Sequence, residues 1–306
     1  YYHERYYDVM QSRGNSIALI GANYPAENIG VDLYHGTELS LTYRNSIKDF
    51  NYFITGNASM QYSKVLFMDE QYEKYPWNVH TGLPVGQRFG LIADGFVQTP
   101  EEATTYPTIA GYTLKTGDVK YKDLNGDGII DQFDVAPIGR TKPLIYYGLT
   151  LGFSYKGFEL NVLIQGIQNR DIYVNNGPID AGFQAQNNGY GQAYEQAQGR
   201  WTPETAGAAI YPRLTAGGNV YNNASLLYTS NSLFLHNGNY FRLKNAGIAY
   251  NLPYKWLKHL KVGGVKIFVN ALNLLTWAAY DQVDPEISLS SYPLQRVINT
   301  GINIKL

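Results

Sequence analysis

The fold is decided by one stretch of sequence, Tyr146 to Gln168, which begins YYGLTLGFSYKGFELNVLIQG. Apolar and polar side chains alternate along both halves of this stretch, and a period of two is typical of a β-strand with one apolar face. The apolar positions are Leu149, Leu151, Phe153, Tyr155, Phe158, Leu160, Val162 and Ile164, and Leu163 is the one exception on the polar side. Lys156 and Gly157 supply a tight turn. The sequence therefore predicts an antiparallel hairpin whose apolar face meets either another protein layer or lipid.

The composition favours an all-β protein. The 306 residues include 28 tyrosines and 31 glycines, and no cysteine, which excludes disulfides and thiolate sites. A formal net charge of −1 without a Lys/Arg cluster argues against binding to nucleic acid. No apolar run approaches the roughly 18 residues that a membrane helix needs. A barrel strand needs only about 9–11 alternating residues, so a membrane location stays open.

Tight and long connections alternate along the chain. A second hairpin of the same form joins residues 31–45 to 50–63, and further strands are predicted at 1–11, 240–252, 265–271 and 298–306, with a bulge near Asn245. The tight connections are 46–49 and 155–158, and residues 253–264 are predicted to make a turn that includes one helical turn at 254–259. The long connections are 12–30, 65–138, 169–237 and 276–293. A membrane barrel has short turns at one rim and long loops at the other, whereas a sandwich has short turns at both ends. Aromatic residues near the strand ends also fit interfacial girdles, with ordinary β-core aromatics as the alternative.

Three segments carry a family resemblance: Gly82 to Phe96, Gly117 to Asp131 with Ile138-Gly139, and Asn270 to Trp277 paired with Thr300 to Leu306. Together with the central hairpin they resemble the C-terminal part of SusC/RagA-type TonB-dependent outer-membrane transporters. The resemblance covers essentially the whole chain in the right order. Leu306 departs from it, because outer-membrane proteins usually end in an aromatic residue.

The resemblance implies a fold, a location and partners. The full protein of this family is a barrel of about 22 strands with an N-terminal plug. Residues 1–306 are then expected to form about ten antiparallel transmembrane strands with long extracellular loops, in the outer membrane of a Gram-negative cell. The plug, the TonB-contacting segment and the signal peptide are expected outside this sequence. The implied partners are TonB, a SusD-like surface lipoprotein, the lipid bilayer and an oligosaccharide, glycan or peptide substrate.

The acidic stretch Asp123 to Asp134 matches a calcium loop of the EF-hand or dockerin kind. Such a loop needs oxygen ligands at positions 1, 3, 5 and 12, a backbone carbonyl at position 7 and glycine at position 6. These positions correspond to Asp123, Asn125, Asp127, Asp134, the carbonyl of Ile129, and Gly128. An apolar residue at position 8 anchors such a loop to a core. The alternative is a solvated acidic turn without metal.

Aromatic residues among Asn, Gln and Arg in the long loops suit sugar stacking. The candidate substrate-binding residues are Trp77, Tyr190, Trp201 and Tyr221, although packing within the loops or on a partner protein explains any single one as well. Catalysis is not expected, because the five histidines are scattered and no hydrolase or nucleotide-binding fingerprint occurs. Asp284 and Glu286 would serve a glycosidase only as a pair about 5–9 Å apart in a cleft.

Two readings of the fold thus compete. In a transporter barrel the apolar faces point outward to lipid and the polar faces line a lumen. In the rival reading, a soluble calcium-binding β-sandwich that holds carbohydrate, the same apolar residues are buried between two sheets. The deciding residues are Leu149, Leu151, Leu160, Val162, Ile302 and Ile304.

Overall fold

A computed structural model describes residues 1–14, 25–174, 195–215, 219–222, 230–258, 262–287 and 292–306. In chain order the strands are β1 (Tyr2–Gln11), β2 (Glu27–Ile47), β3 (Phe50–Phe67), β4 (Phe89–Leu91), β5 (Ala93–Phe96), β6 (Thr108–Ile109), β7 (Val119–Tyr121), β8 (Ile129–Ile130), β9 (Val135–Pro137), β10 (Leu144–Tyr155), β11 (Phe158–Gln168), β12 (Asp171–Tyr173), β13 (Leu235–Asn237), β14 (Tyr240–Asn251), β15 (Gly264–Ala278) and β16 (Val297–Lys305). The helices are α1 (Pro100–Thr105) and α2 (Tyr254–Leu257). Among the described residues, no helix has the length and hydropathy needed to cross a membrane.

One large antiparallel sheet dominates the described structure, as the sequence predicts. Its strand order is β1-β2-β3-β10-β11-β14-β15-β16, so every strand pairs with its neighbour in the chain once the short strands are set aside. The sheet has eight strands where about ten were expected, because segments 86–97 and 117–122 form β4, β5 and β7, which pair outside it. Segment 12–30, expected to be a loop, already enters β2 at Glu27.

The two rims of the sheet differ sharply. Lys48–Asp49 and Lys156–Gly157 are two-residue turns, and the second pair has positive φ at both positions, 46° and 91°, as a primed hairpin turn requires. The third short connection contains α2, close to the predicted helical turn. The long connections, residues 12–26, 68–143, 169–239 and 279–296, all leave the opposite rim. We call these the tight-turn rim and the long-loop rim.

The apolar face of the sheet is continuous and open. Cross-strand pairing aligns one row through Tyr43, Ile54, Leu151, Val162, Ala246, Ala271 and Ile298. Of the six deciding residues, Leu149, Ile302 and Ile304 are exposed and the other three are half-buried. Since no second sheet covers them in the described part of the chain, the sandwich reading is wrong and the barrel-wall reading is confirmed.

Aromatic clusters mark both ends of this apolar face. Near the tight-turn rim, the rings of Phe50 and Phe153 lie 5.6 Å apart and those of Phe158 and Tyr250 lie 4.4 Å apart. Near the long-loop rim, Phe241 and Trp277 stack at 4.5 Å. Two aromatic bands that flank an aliphatic zone are the arrangement expected where a barrel meets both membrane interfaces.

The opposite face is polar and carries two glycine–aromatic pairs. Phe53 pairs directly with Gly152, and Phe268 pairs with Gly301. A Cβ atom on Gly152 would lie 2.2 Å from the Phe53 ring, so the ring occupies the space above the glycine. Lys266 and Glu159 form an ion pair of 2.5 Å on the same face, which is consistent with a wet interior.

Replacing Gly152 with valine should therefore destabilise the sheet. We expect a loss of about 1–3 kcal/mol in the free energy of unfolding, because the new methyl groups displace the Phe53 ring. Gly56→Val is the matched control, since a Cβ atom at Gly56 has no neighbour within 4 Å. Urea unfolding of the reconstituted full-length protein measures both variants, and equal losses would contradict this packing.

The bulge predicted near Asn245 is confirmed. The register of β14 shifts between Leu243 and Asn245 against both of its neighbours: against β11 the extra residue is Lys244, whereas against β15 the extra residue lies in β15, between Leu272 and Leu275. The bulge lies towards the long-loop rim, where it turns Arg242 and Lys244 to the polar side of the sheet.

The long connections build a hydrophobic core of their own. This loop core consists of Leu91, Phe96, Val97, Ile109, Leu114, Val119, Tyr121, Ile130, Trp201, Val220 and Tyr221. Polar contacts join its two segments: Asp118, which is almost fully buried, accepts hydrogen bonds from Arg213 Nε and Asn219 Nδ2, both at 2.7 Å. The described parts of segments 65–138 and 169–237 are thus packed structure rather than open loops.

Candidate functional site

The acidic loop Asp123 to Asp134 is closed by its own hydrogen bonds. Asp123 accepts from the backbone N–H groups of Gly126 at 2.6 Å and Gly128 at 2.8 Å. Asp127 accepts from the Ile129 N–H at 2.9 Å, and Asn125 accepts from the Asp127 N–H at 3.0 Å. These bonds fix the side chains at positions 1, 3 and 5 on one turn of backbone.

Asp134 fixes the other end of the loop. Its side chain is fully buried, and its two oxygens accept from the N–H groups of Leu124 at 2.7 Å and Asp131 at 2.9 Å. Burial raises the pKa of Asp134 above its usual value. Ile130, at position 8, is buried in the loop core, and β8 pairs in parallel with β6. The apolar anchor expected at this position is present.

The oxygen donors of the loop suit a hard cation such as calcium, but they do not identify the cation. Each carboxylate oxygen has two lone pairs, so those that already accept an N–H keep one for a metal. Within the described residues, however, no three His, Asp or Glu side chains converge in a metal-binding arrangement. The calcium role of Asp123, Asn125, Asp127, Ile129 and Asp134 stays a prediction.

The aromatic candidates occupy different environments. Trp201 and Tyr221 are buried in the loop core, where Tyr221 Oη accepts from the Ile109 N–H and donates to the Tyr112 carbonyl. Their rings thus fill the structural role that the sequence left open as the alternative. Trp77 is half-buried, stacks on Tyr75 at 4.7 Å and donates through Nε1 to the Phe133 carbonyl at 2.7 Å. Tyr190 lies outside the described residues.

A cleft of about 450 Å³ lies where the long-loop rim meets the loops. The polar face of the sheet contributes Tyr34, Gln61 and Leu144, and the loops contribute segments 84–88, 138–143 and 169–173. This volume falls within the range of small-molecule pockets, roughly 300–1,000 Å³. The pattern of alternation gives no sign of this cleft, because it forms between segments that are far apart in the sequence.

A buried network of ion pairs lies on the polar face of the sheet beside β14. Arg242 is 2% exposed, and its Nη2 donates to Asp284 at 2.9 Å. Its Nη1 forms an ion pair with Glu286 Oε2 at 3.0 Å. Lys244 and Gln165 each contact Glu286 at 2.6 Å. From the sequence, these two acids were considered only as a glycosidase pair, and the bulge was the only signal near Arg242.

Both acids are thus held by cations. Asp284 and Glu286 are 10% and 12% exposed. Because their charges are already neutralised by Arg242 and Lys244, this arrangement fits a structural latch for segment 279–287 on the inner face of the sheet. It does not leave a free carboxyl pair of the kind that a glycosidase needs.

An outward apolar face, a polar inner face and long loops gathered at one rim define part of the wall of an outer-membrane β-barrel. No protein-family model matches the chain. Two curated proteins of Formosa agariphila do match: TonB-dependent receptor P26, 28% identical over 93% of this chain, and TonB-dependent receptor P3, 25% identical over 93%. The chain spans 30% of the length of each.

Solved structures share the fold. The RagAB peptide transporter has a TM-score of 0.68 at 18% identity, and the RagAB peptide importer in the open-open state has 0.70 at 20% identity. Each comparison covers 99% of this chain and 32% of the solved chain. The chain is therefore similar to the TonB-dependent receptors in sequence and to the RagAB transporter in fold, which confirms the resemblance predicted from the sequence. The outer membrane as its location is confirmed with it.

Proposed function

We propose that this chain forms part of the barrel of a TonB-dependent importer that passes oligosaccharides or peptides across the outer membrane. The single observation that carries the proposal is the continuous apolar face opposite a polar face with charged pairs. The edge strands β1 and β16 are unpaired on their outer sides in the described sheet. Backbone groups within a bilayer need partners, so further strands of the full-length protein should complete the ring.

The partners follow from the same architecture. TonB would act through a plug carried by the remaining part of the protein. A SusD-like lipoprotein would cover the long-loop rim, where the loop core presents a folded surface rather than loose loops. The relatives are named as receptors and transporters, which supports a role without catalysis.

Energised uptake by cells tests this function. Cells that express the full-length protein are given fluorescent neutral and acidic oligosaccharides and peptides, with and without a protonophore. We expect at least one class to accumulate only while the inner membrane is energised, and the protein to fractionate with outer membranes. Uptake that is unchanged by the protonophore would overturn the proposal. Recovery of the protein in the soluble periplasmic fraction would also overturn it.

We further propose that the Asp123 to Asp134 loop binds calcium and stiffens the loop core. Terbium is a calcium mimic, and Trp77, which donates to the carbonyl of Phe133 within the loop, is placed to sensitise its luminescence. Asp127→Asn in the full-length protein should weaken calcium competition by at least about tenfold, since it removes one ligand charge. Asp49→Asn, in the turn at the opposite rim, is the control. Absence of terbium binding to the unmodified protein would favour the solvated turn.

A further inference from the structure

The cleft at the long-loop rim is strongly cationic. Its lining includes Arg88, Arg140, Lys142 and Arg170, and Asp171 is the one acidic residue among the described lining residues. The cleft thus has a surplus of three positive charges in a chain whose formal net charge is −1. Charge concentrated at the entrance of a lumen raises the local concentration of ligands of the opposite sign.

Arg140 is held in a defined position at this cleft. Asp171 accepts from the Arg140 backbone N–H at 2.6 Å and from its Nε at 3.1 Å. Gly139 permits this approach: it has a φ of 89°, and a Cβ atom there would lie 2.8 Å from the Asp171 carboxylate. Within the Arg140 side chain, only Nε donates a hydrogen bond to Asp171. The N–H groups of its two terminal nitrogens can therefore donate to a ligand.

The other cations complete a mixed surface. The Arg88 guanidinium lies 4.2 Å from the centre of the Tyr173 ring, and its Nη1 donates to Ser230 Oγ at 3.2 Å. Lys142 is exposed, two residues beyond Arg140. A guanidinium fork beside an ammonium group and an aromatic ring suits a carboxylate or sulfate attached to a larger molecule.

We propose that this cleft binds an anionic group, carboxylate or sulfate, of the imported substrate as it enters the lumen. The inference rests on the import function proposed above and narrows its substrate class to acidic molecules. An acidic oligosaccharide and an acidic peptide present the same chemistry, and the experiment separates them.

Calorimetric binding to the purified full-length protein provides the test. The probes are hexagalacturonate, maltohexaose, a glutamate-rich hexapeptide and its glutamine counterpart. We expect one acidic probe to bind more tightly than its neutral counterpart, and Lys142→Gln and Arg140→Gln each to weaken that binding by about fivefold. Lys255→Gln, an exposed lysine in α2 at the opposite rim, removes the same charge and should leave binding unchanged.

The outcomes separate this inference from the import function. If neutral and acidic probes bind equally, or if Lys142→Gln and Lys255→Gln behave alike, the cleft is not the anion site, even where energised uptake succeeds. If uptake fails for every probe while the acidic probe binds and Lys142→Gln weakens that binding, the anion site is supported and the import function is contradicted. Weaker binding of the acidic probe at high salt would support an electrostatic contact.

Discussion

Replacing Leu151 with arginine lowers the free energy of unfolding of the membrane-embedded protein by about 2–4 kcal/mol, the cost of a cation at the middle of the lipid-facing wall. Leu151 lies in the central apolar row, between Ile54 and Val162. Thr150→Arg, one residue earlier on the polar side of the same strand, should change the free energy by less than about 1 kcal/mol, because the new side chain meets water in the lumen.

Urea titration in lipid vesicles measures this pair of variants. The two substitutions add the same side chain to the same strand, so they differ only in the face that carries it. Comparable losses for both variants would mean that the Leu151 side does not face hydrocarbon. A loss confined to Thr150→Arg would reverse the assignment of the two faces.

Replacing Arg242 with methionine should lower the free energy of unfolding by about 3–5 kcal/mol, because it leaves the largely buried carboxylates of Asp284 and Glu286 without their main cation. The expected result is a drop in stability together with faster proteolytic cleavage within residues 279–287. Arg13→Gln is the control: the side chains of its ion pair with Glu27 are 44% and 35% exposed, and loss of this pair should cost less than about 1 kcal/mol.

A rescue distinguishes the latch from a general packing defect. Adding Asp284→Asn and Glu286→Gln to Arg242→Met removes the stranded charges and should recover much of the lost stability. If the triple variant is as unstable as Arg242→Met alone, the ion pairs do not hold this segment to the inner face.

Most of the sheet could be predicted from local sequence. Alternation from Leu149 to Ile164 places an entire hairpin, because a strand with one lipid face and one water face must change polarity at every residue. The same rule located the bulge near Asn245, where the alternation changes phase. The start of β2 at Glu27 was missed, since Glu27 to Gly30 follows a region that is rich in glycine and proline.

The loop core and the cleft could not be predicted, because both depend on contacts between distant segments. Trp201 packs with residues about one hundred positions earlier in the chain, and its Nε1 donates to Gln98 at 3.2 Å. Arg242 and Asp284 are 42 residues apart and meet only because segment 279–287 folds inward. A periodic pattern along the chain does not show which distant residues come into contact. Single aromatic and acidic residues in the long segments therefore gave little information about these contacts.

The most direct measurement of the central claim is cysteine labelling along β10, since the chain has no native cysteine. Single cysteines at residues 149, 150, 151, 153 and 154 are introduced into the full-length protein, from which any cysteine outside this chain has been removed, and the variants are exposed to a water-soluble maleimide in lipid vesicles. The account predicts labelling at Thr150 and Ser154, which face the water-filled lumen, and protection at Leu149, Leu151 and Phe153, which face lipid. Equal labelling of both sets, or protection of the polar set alone, would contradict it.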